Sequence, residues 1–157
     1  MALEPRDVGM TQPTWGTPAV DGGPPLEMRA GFWKRVVGLI IDSIILSIVG
    51  GILGVVIGAG VRDGGQGISS SVSFLIGLAY DVYFWTSRGT TPGGMIMGIR
   101  LVNAQGQNPT MGQAIGRFFA AILSAIPFGL GYLWAAGEKK RTWHDILAGT
   151  WAINSNA

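Results

Sequence analysis

The chain has no cysteine and, in 157 residues, a single histidine, His144. Disulfides, thiol catalysis and Cys-based metal sites are therefore excluded, and one histidine without cysteine makes a poor zinc site. Charge is scarce as well. Charged residues are 13% of the chain, about half the share found in an average soluble domain. The net charge of +2 is too weak a field to argue for nucleic-acid binding. No Ser-His-Asp set, Walker loop or dinucleotide fingerprint is present, and Gly129-Leu130-Gly131 alone does not suggest nucleotide binding. His144 and Asp145 are adjacent, so on a helix they do not face each other as a dyad. Neither enzymatic activity nor a cofactor or metal is expected. A cleavable signal peptide is not expected either, because the first ten residues are polar and mixed in charge.

What is abundant is apolar surface and glycine. Hydrophobic residues are 48% of the chain, and 26 residues are Gly, which suits helices packed closely in lipid. Residues 1–28 hold five of the eight prolines and no apolar periodicity, so they read as a disordered cytoplasmic tail with room for a short partner motif. Residues 29–157 read as a membrane domain. Residues 36–60 form an apolar segment interrupted by one charge, Asp42, and preceded by Phe32, Trp33, Lys34 and Arg35. Such a segment acts as an uncleaved signal anchor and crosses a ~30 Å hydrocarbon layer with some tilt. After a glycine turn at 62–67, a second segment over 68–87 carries only Asp81 and ends in an aromatic cluster and Arg88. Basic residues thus flank the start of the first helix and the end of the second, which places both outer flanks in the cytoplasm. The expectation is a multi-pass protein of the cell membrane, with a transmembrane hairpin and a cytoplasmic N-terminus.

Thr90-Thr91-Pro92-Gly93-Gly94 reads as a turn, and residues 99–103 alternate as a short strand. Asn108 or Thr110 caps a helix starting near Met111. The third apolar stretch, within a broken helix over about 111–136, is interrupted at Pro127, Gly129 and Gly131 and followed by Lys139, Lys140 and Arg141. A re-entrant path returning to the cytoplasm is favoured over a full crossing, since broken helices at membrane depth must be buried or line a cavity. Residues 150–153 are a candidate strand partner for 99–103. The fold class is therefore an all-α membrane protein with a small cytoplasmic β element.

Asp42 lies seven residues inside Arg35 and Asp81 seven inside Arg88, so both carboxylates sit about 10 Å below the cytoplasmic boundary. An Asp at a helix centre costs about 2.5–3.5 kcal/mol on insertion scales, which makes each a functional candidate. Asp81 and Arg88 are placed to pair within their helix, whereas Arg35 leans away from Asp42, which needs a partner from elsewhere. Small residues recur every four positions at Gly50, Gly54 and Gly58 and at Ser69, Ser73 and Gly77. Laid antiparallel, Gly58 meets Ser69, Gly54 meets Ser73 and Gly50 meets Gly77, a close-packed seam that opens near the two aspartates.

Three short stretches in order, Ala30–Arg35 through Asp42, Arg88–Gly93 with Gly98–Val102, and Trp143–Asp145 through Thr150, resemble the RDD family of prokaryotic membrane proteins. That family is named for one arginine and two aspartates. The resemblance implies roles for Arg35 and Asp42, and for Asp145 or, as the competing choice, Asp81; relatives often carry a Lys where this chain has Gly94. His144 falls in the third stretch. The resemblance implies a membrane domain and suggests transport of some ligand or ion. Two expectations follow for partners. One is transport of a small solute or cation by a homo-oligomer in the lipid bilayer; the other is an accessory or assembly subunit bound to a larger membrane protein complex.

Overall fold

The first apolar run folds as one helix, α1 (Phe32–Gly58). Its polar hydroxyls are absorbed locally, Ser43 donating to the Leu39 carbonyl at 2.8 Å and Ser47 to that of Ser43 at 2.7 Å. The stretch Phe32–Leu53 has a mean hydropathy of 2.5 and is almost wholly unburied by the rest of the protein. Among the described residues it is the one helix long and apolar enough to cross a membrane. The computed structural model describes residues 16, 18, 19, 21–58, 65–125 and 130–155, with the side chains at 54, 57, 58, 65–69, 125, 130 and 132 set aside.

Helix α2 (Gly65–Ser87) runs antiparallel to α1, as two contacts fix: Tyr80 bonds Asp42, and Gly50 sits beside Ser73. This register is four residues, about one turn, from the glycine seam expected from spacing, and it sets Asp81 level with Asp42. A methyl added at Gly50 would lie 3.9 Å from the Ser73 hydroxyl, and one at Gly77 would meet nothing within 4 Å. The expected Gly50–Gly77 contact is thus not made. Gly54, Gly58 and Ser69 lie outside the described residues as far as packing is concerned. The close approach of backbones occurs elsewhere, between Gly38 of α1 and Gly93.

Gly93 belongs to a short helix, α3 (Pro92–Ile96), capped by Thr91, whose hydroxyl accepts from the Gly94 N–H at 3.2 Å, with Pro92 at the first helical position. Strand β1 (Ile99–Asn103) follows. Helix α4 (Met111–Ala125) starts behind Thr110, which exchanges backbone-to-side-chain bonds with Gln113 in a capping box. Helix α5 (Leu130–Leu133) continues into a 3-10 turn over Trp134–Ala136. Gly131 packs on Ser124, where an added Cβ would lie 2.9 Å from the Ser124 Cα. Residues seven apart on one straight helix are about 10 Å apart, so the chain has folded back rather than continued. Pro127, the expected breaking point, lies outside the described residues. Helix α6 (Trp143–Ala148) and strand β2 (Thr150–Asn154) end the fold, and β2 pairs antiparallel with β1, Leu101 opposite Ala152.

The sheet is buried on both faces. Ile99, Leu101 and Ala152 pack with Ala30, Trp85 and Met97, while Val102, Trp151 and Ile153 form the other cluster. The free edge of β2 is covered by residues 28–30, through Ala30 N–H to the Ala152 carbonyl at 2.9 Å and Asn154 N–H to the Met28 carbonyl at 2.7 Å. Residues 21–28, expected to belong to a disordered tail, are instead packed on the domain. Arg29, buried, pairs with Asp21 at 2.5 Å and also bonds the carbonyls of Pro24 and Lys139.

The two helix–strand units are copies of one pattern. Thr91, Gly98 and Asn103 recur with identical spacing as Thr142, Gly149 and Asn154. Both threonines are N-caps with matching backbone (φ −86°, ψ 164° and φ −85°, ψ 165°), and both glycines are left-handed, at φ 64° and 62°. The strand register maps onto itself when the copies are exchanged, so a local pseudo-two-fold passes through the Leu101–Ala152 pair.

The packing predicts a contrast between glycines. A Cβ at Gly93 would lie 2.8 Å from the Asp42 carboxyl as well as against the Gly38 carbonyl. Gly93→Ala should lose about 1–3 kcal/mol through overpacking, whereas Gly77→Ala should be neutral or gain up to ~1 kcal/mol from helix propensity. Thermal melting in lipid nanodiscs checks this; equal losses at both positions would contradict the placement of the close approach.

Candidate functional site

Asp42 does find its partner elsewhere. Its carboxylate accepts hydrogen bonds from the Tyr80 hydroxyl at 2.8 Å, the Thr91 hydroxyl at 2.5 Å and the Gly93 N–H at 2.8 Å. It therefore ties α1 to α2 and to the first turn of α3, where the exposed N–H groups of a helix favour a negative charge. Glycine at 93 is what lets that backbone come so near. With three donors on two oxygens, the buried Asp42 is a satisfied anchor.

Asp145 is the second anchor and the centre of the site. It occupies the third position of α6, where its carboxylate takes the Thr142 N–H at 3.1 Å while the Thr142 hydroxyl accepts the Asp145 N–H at 3.3 Å. The same carboxylate then pairs with two arginines. Arg35 Nη1 reaches Oδ2 at 2.5 Å from α1, and Arg117 Nη1 reaches Oδ1 from α4. Arg117 also donates to the Thr150 hydroxyl at 2.7 Å, and Arg35 donates to the carbonyls of Lys140 at 2.7 Å and Ala152 at 3.3 Å. Of the residues singled out in the sequence, Arg35 and Asp145 are thus brought into contact, and Asp42 stands apart from both.

Between these anchors lies a cavity of about 260 Å³. Its lining includes Arg35, Asp42, Asp81, Arg117 and His144, with Val36, Leu39, Leu46, Trp85 and Ile99 among its apolar walls. Asp81 behaves differently from the other carboxylates. Among the described residues it accepts no hydrogen bond and makes no ion pair, and Arg88, with which the spacing paired it, is exposed instead. Arg117 stacks on Trp85, its guanidinium 5.3 Å from the ring centre.

Sequence reasoning missed Arg117, Tyr80, Thr91 and Arg29. The signal for Arg117 was present: it is the lone charge in α4, at the start of the apolar stretch that follows it. For Thr91, the repeat of the Thr-Gly-Asn pattern around Thr142 would have pointed to a cap.

The electrostatics follow from the pairing. Burial alone would raise the Asp145 carboxyl, but Arg117 and then Arg35 hold it well below the ordinary carboxylate range. Burial, reinforced by the Arg117 charge and opposed by Asp145, pushes the His144 imidazole down from 6.5 to about 3. His144 is therefore neutral at physiological pH and contributes shape rather than charge.

A family model described as the RDD family matches residues 29–149. The chain is 30% identical over 146 residues to the uncharacterized protein YxaI of Bacillus subtilis, covering 80% of this chain and 97% of that protein. It is 34% identical over 131 residues to the uncharacterized protein YckC of the same organism, covering 78% and 82%. No solved structure matches the chain.

The pH dependence of stability has a definite sign. Between pH 6.5 and about 3 the unfolded chain takes up a proton at His144 while the folded chain does not. Stability should therefore fall as pH drops through this window, by at most ~1.4 kcal/mol per unit from this residue, with Asp145 adding to the loss below the ordinary carboxylate pKa. His144→Gln should flatten the dependence between pH 6.5 and 4.5 in denaturation curves. An unchanged slope in the variant would contradict the assignment.

Proposed function

The chain belongs to the RDD family, and from that membership we propose that it is a multi-pass protein of the cell membrane, N-terminus in the cytoplasm, that carries a small solute or cation as a homo-oligomer. The observation that carries the proposal is the cavity, in which one carboxyl without a hydrogen-bond donor among the described residues, Asp81, lies with apolar walls and two anchored charges. An unanchored ionisable group on an apolar helix is costly to keep for structure alone and is the kind of group that a transported charge can neutralise.

The topology is supported by where the sheet gathers the chain. Residues 28–30, β1 and β2 lie together, so the start of α1, the end of α2 and the C-terminal strand share one side of the bilayer. Lys34, Arg35 and Arg88 mark that side as cytoplasmic. The hairpin of α1 and α2 then crosses twice, and residues 111–136 leave and return on the same side, in keeping with the fold-back of α5 on α4. Ile44, Ile48, Ile52, Val55 and Val56 present an exposed apolar stripe on α1, suited to lipid and to a second copy. Few helices enclose the cavity, so a continuous path across the bilayer requires subunits side by side.

Proteoliposomes on a solid-supported membrane test this directly. Gradients of sodium, potassium and tetraethylammonium chloride are applied in turn, and at least one should move charge in the wild type. Asp81→Asn should insert and melt as the wild type does yet lose at least 90% of that charge movement. Silence of the wild type under every gradient would contradict transport and leave the accessory-subunit role.

A further inference from the structure

One carboxyl of the cavity accepts no hydrogen bond among the described residues, and that group defines what fits. The other charged groups at its walls hold one another. Arg35 and Arg117 both pair with Asp145, Arg141 donates to the Asp145 carbonyl, and Asp42 is bound by three donors. His144 is neutral. Asp81 is the carboxyl left over, lining the cavity without a hydrogen-bond donor among the described residues.

The walls narrow the class further. A divalent ion needs six or more oxygens and would bring one charge too many. A stripped alkali ion also draws on a ring of oxygens to replace its water. Here Asp42 and Thr91 are engaged with each other, and Arg117 lies on the facing wall. Most of the remaining surface is alkyl and aromatic, from Val36, Leu39, Leu46, Trp85 and Ile99. Such walls exclude a hydrated ion and reward the burial of carbon. The volume of about 260 Å³ is that of about nine waters, enough for a compact solute of roughly nine non-hydrogen atoms.

We propose that the cavity binds a monovalent organic cation, an ammonium with small apolar substituents, whose charge is met by Asp81 and whose alkyl groups contact Val36, Leu39 and Leu46. This rests on the transport reading above and names the substrate class for that site. It also gives Asp42 and Asp81 separate tasks. Asp42 fixes the α1–α3 wall, and Asp81 alone meets the ligand.

Tetraethylammonium, with nine non-hydrogen atoms and one charge, is the probe. Isothermal titration into the protein in lipid nanodiscs should show saturable binding at constant ionic strength. Sodium chloride and the zwitterion glycine betaine should bind at least tenfold more weakly. Asp81→Asn should weaken tetraethylammonium binding at least tenfold, and Asp81→Glu, which keeps the charge, should stay within about threefold; the pair separates loss of charge from loss of fold. Undiminished binding in Asp81→Asn, or betaine binding as tightly as tetraethylammonium, would overturn the assignment. Tetraethylammonium that binds but is not carried would refute transport and leave the ligand class standing. Sodium flux without tetraethylammonium binding would do the reverse.

Discussion

The arrangement hangs on one carboxylate. Asp145 is fully buried and would be expensive to keep charged, yet it caps its own helix and receives a guanidinium from each of two helices distant in sequence. Removing a carboxylate from water costs several kcal/mol, and the attraction of two arginines, which make four further hydrogen bonds to Ala30, Lys140, Ala152 and Thr150, offsets that cost only if the geometry is right. The triad therefore does more to specify than to stabilise. It sets how α1 and α4 stand against the sheet, and the space left between them is the cavity.

The pseudo-two-fold shows why two aspartates are needed as anchors. Each copy begins with a short Thr-capped helix whose first N–H groups favour a negative charge. In the second copy the carboxylate is built in, at Asp145. The corresponding position of the first copy is Gly94, and the charge arrives from α1 as Asp42. A side chain at position 93 would block that approach, so the glycines there are the counterpart of an imported carboxylate. Once both helix starts are served, Asp81 is left without a hydrogen-bond donor among the described residues.

Much of the frame was legible in the residues, because periodicity and turn chemistry act locally. The apolar run that begins at 36 lies on α1, the alternation at 99–103 is β1, and the cap before Met111 marks the start of α4. The helix seam was not legible, because small-residue spacing is satisfied by any register offset by four, and Tyr80–Asp42 rather than glycine packing selects the one adopted. The N-terminal strap was missed for a similar reason. Its order comes from Arg29, Asp21 and the edge of β2, which are long-range partners that composition cannot show. The arginine shared between α4 and Asp145 lay in plain view, but a charge at the margin of an apolar run reads equally well as a boundary marker. The resemblance singled out Arg35, Asp42 and either Asp145 or Asp81, and the fold was needed to show that Asp42 and Asp145 are anchored while Asp81 accepts no hydrogen bond among the described residues.

That division rests most directly on the cost of losing the central carboxylate. Asp145→Asn keeps the shape but leaves Arg35 and Arg117 without a counter-charge in a buried site. Equilibrium unfolding in lipid nanodiscs should show a loss of about 3–5 kcal/mol relative to the wild type, with cooperativity reduced as α4 loosens from the sheet. A loss below about 1 kcal/mol would show that the triad does not hold the fold, and the account of the cavity built on it would fail.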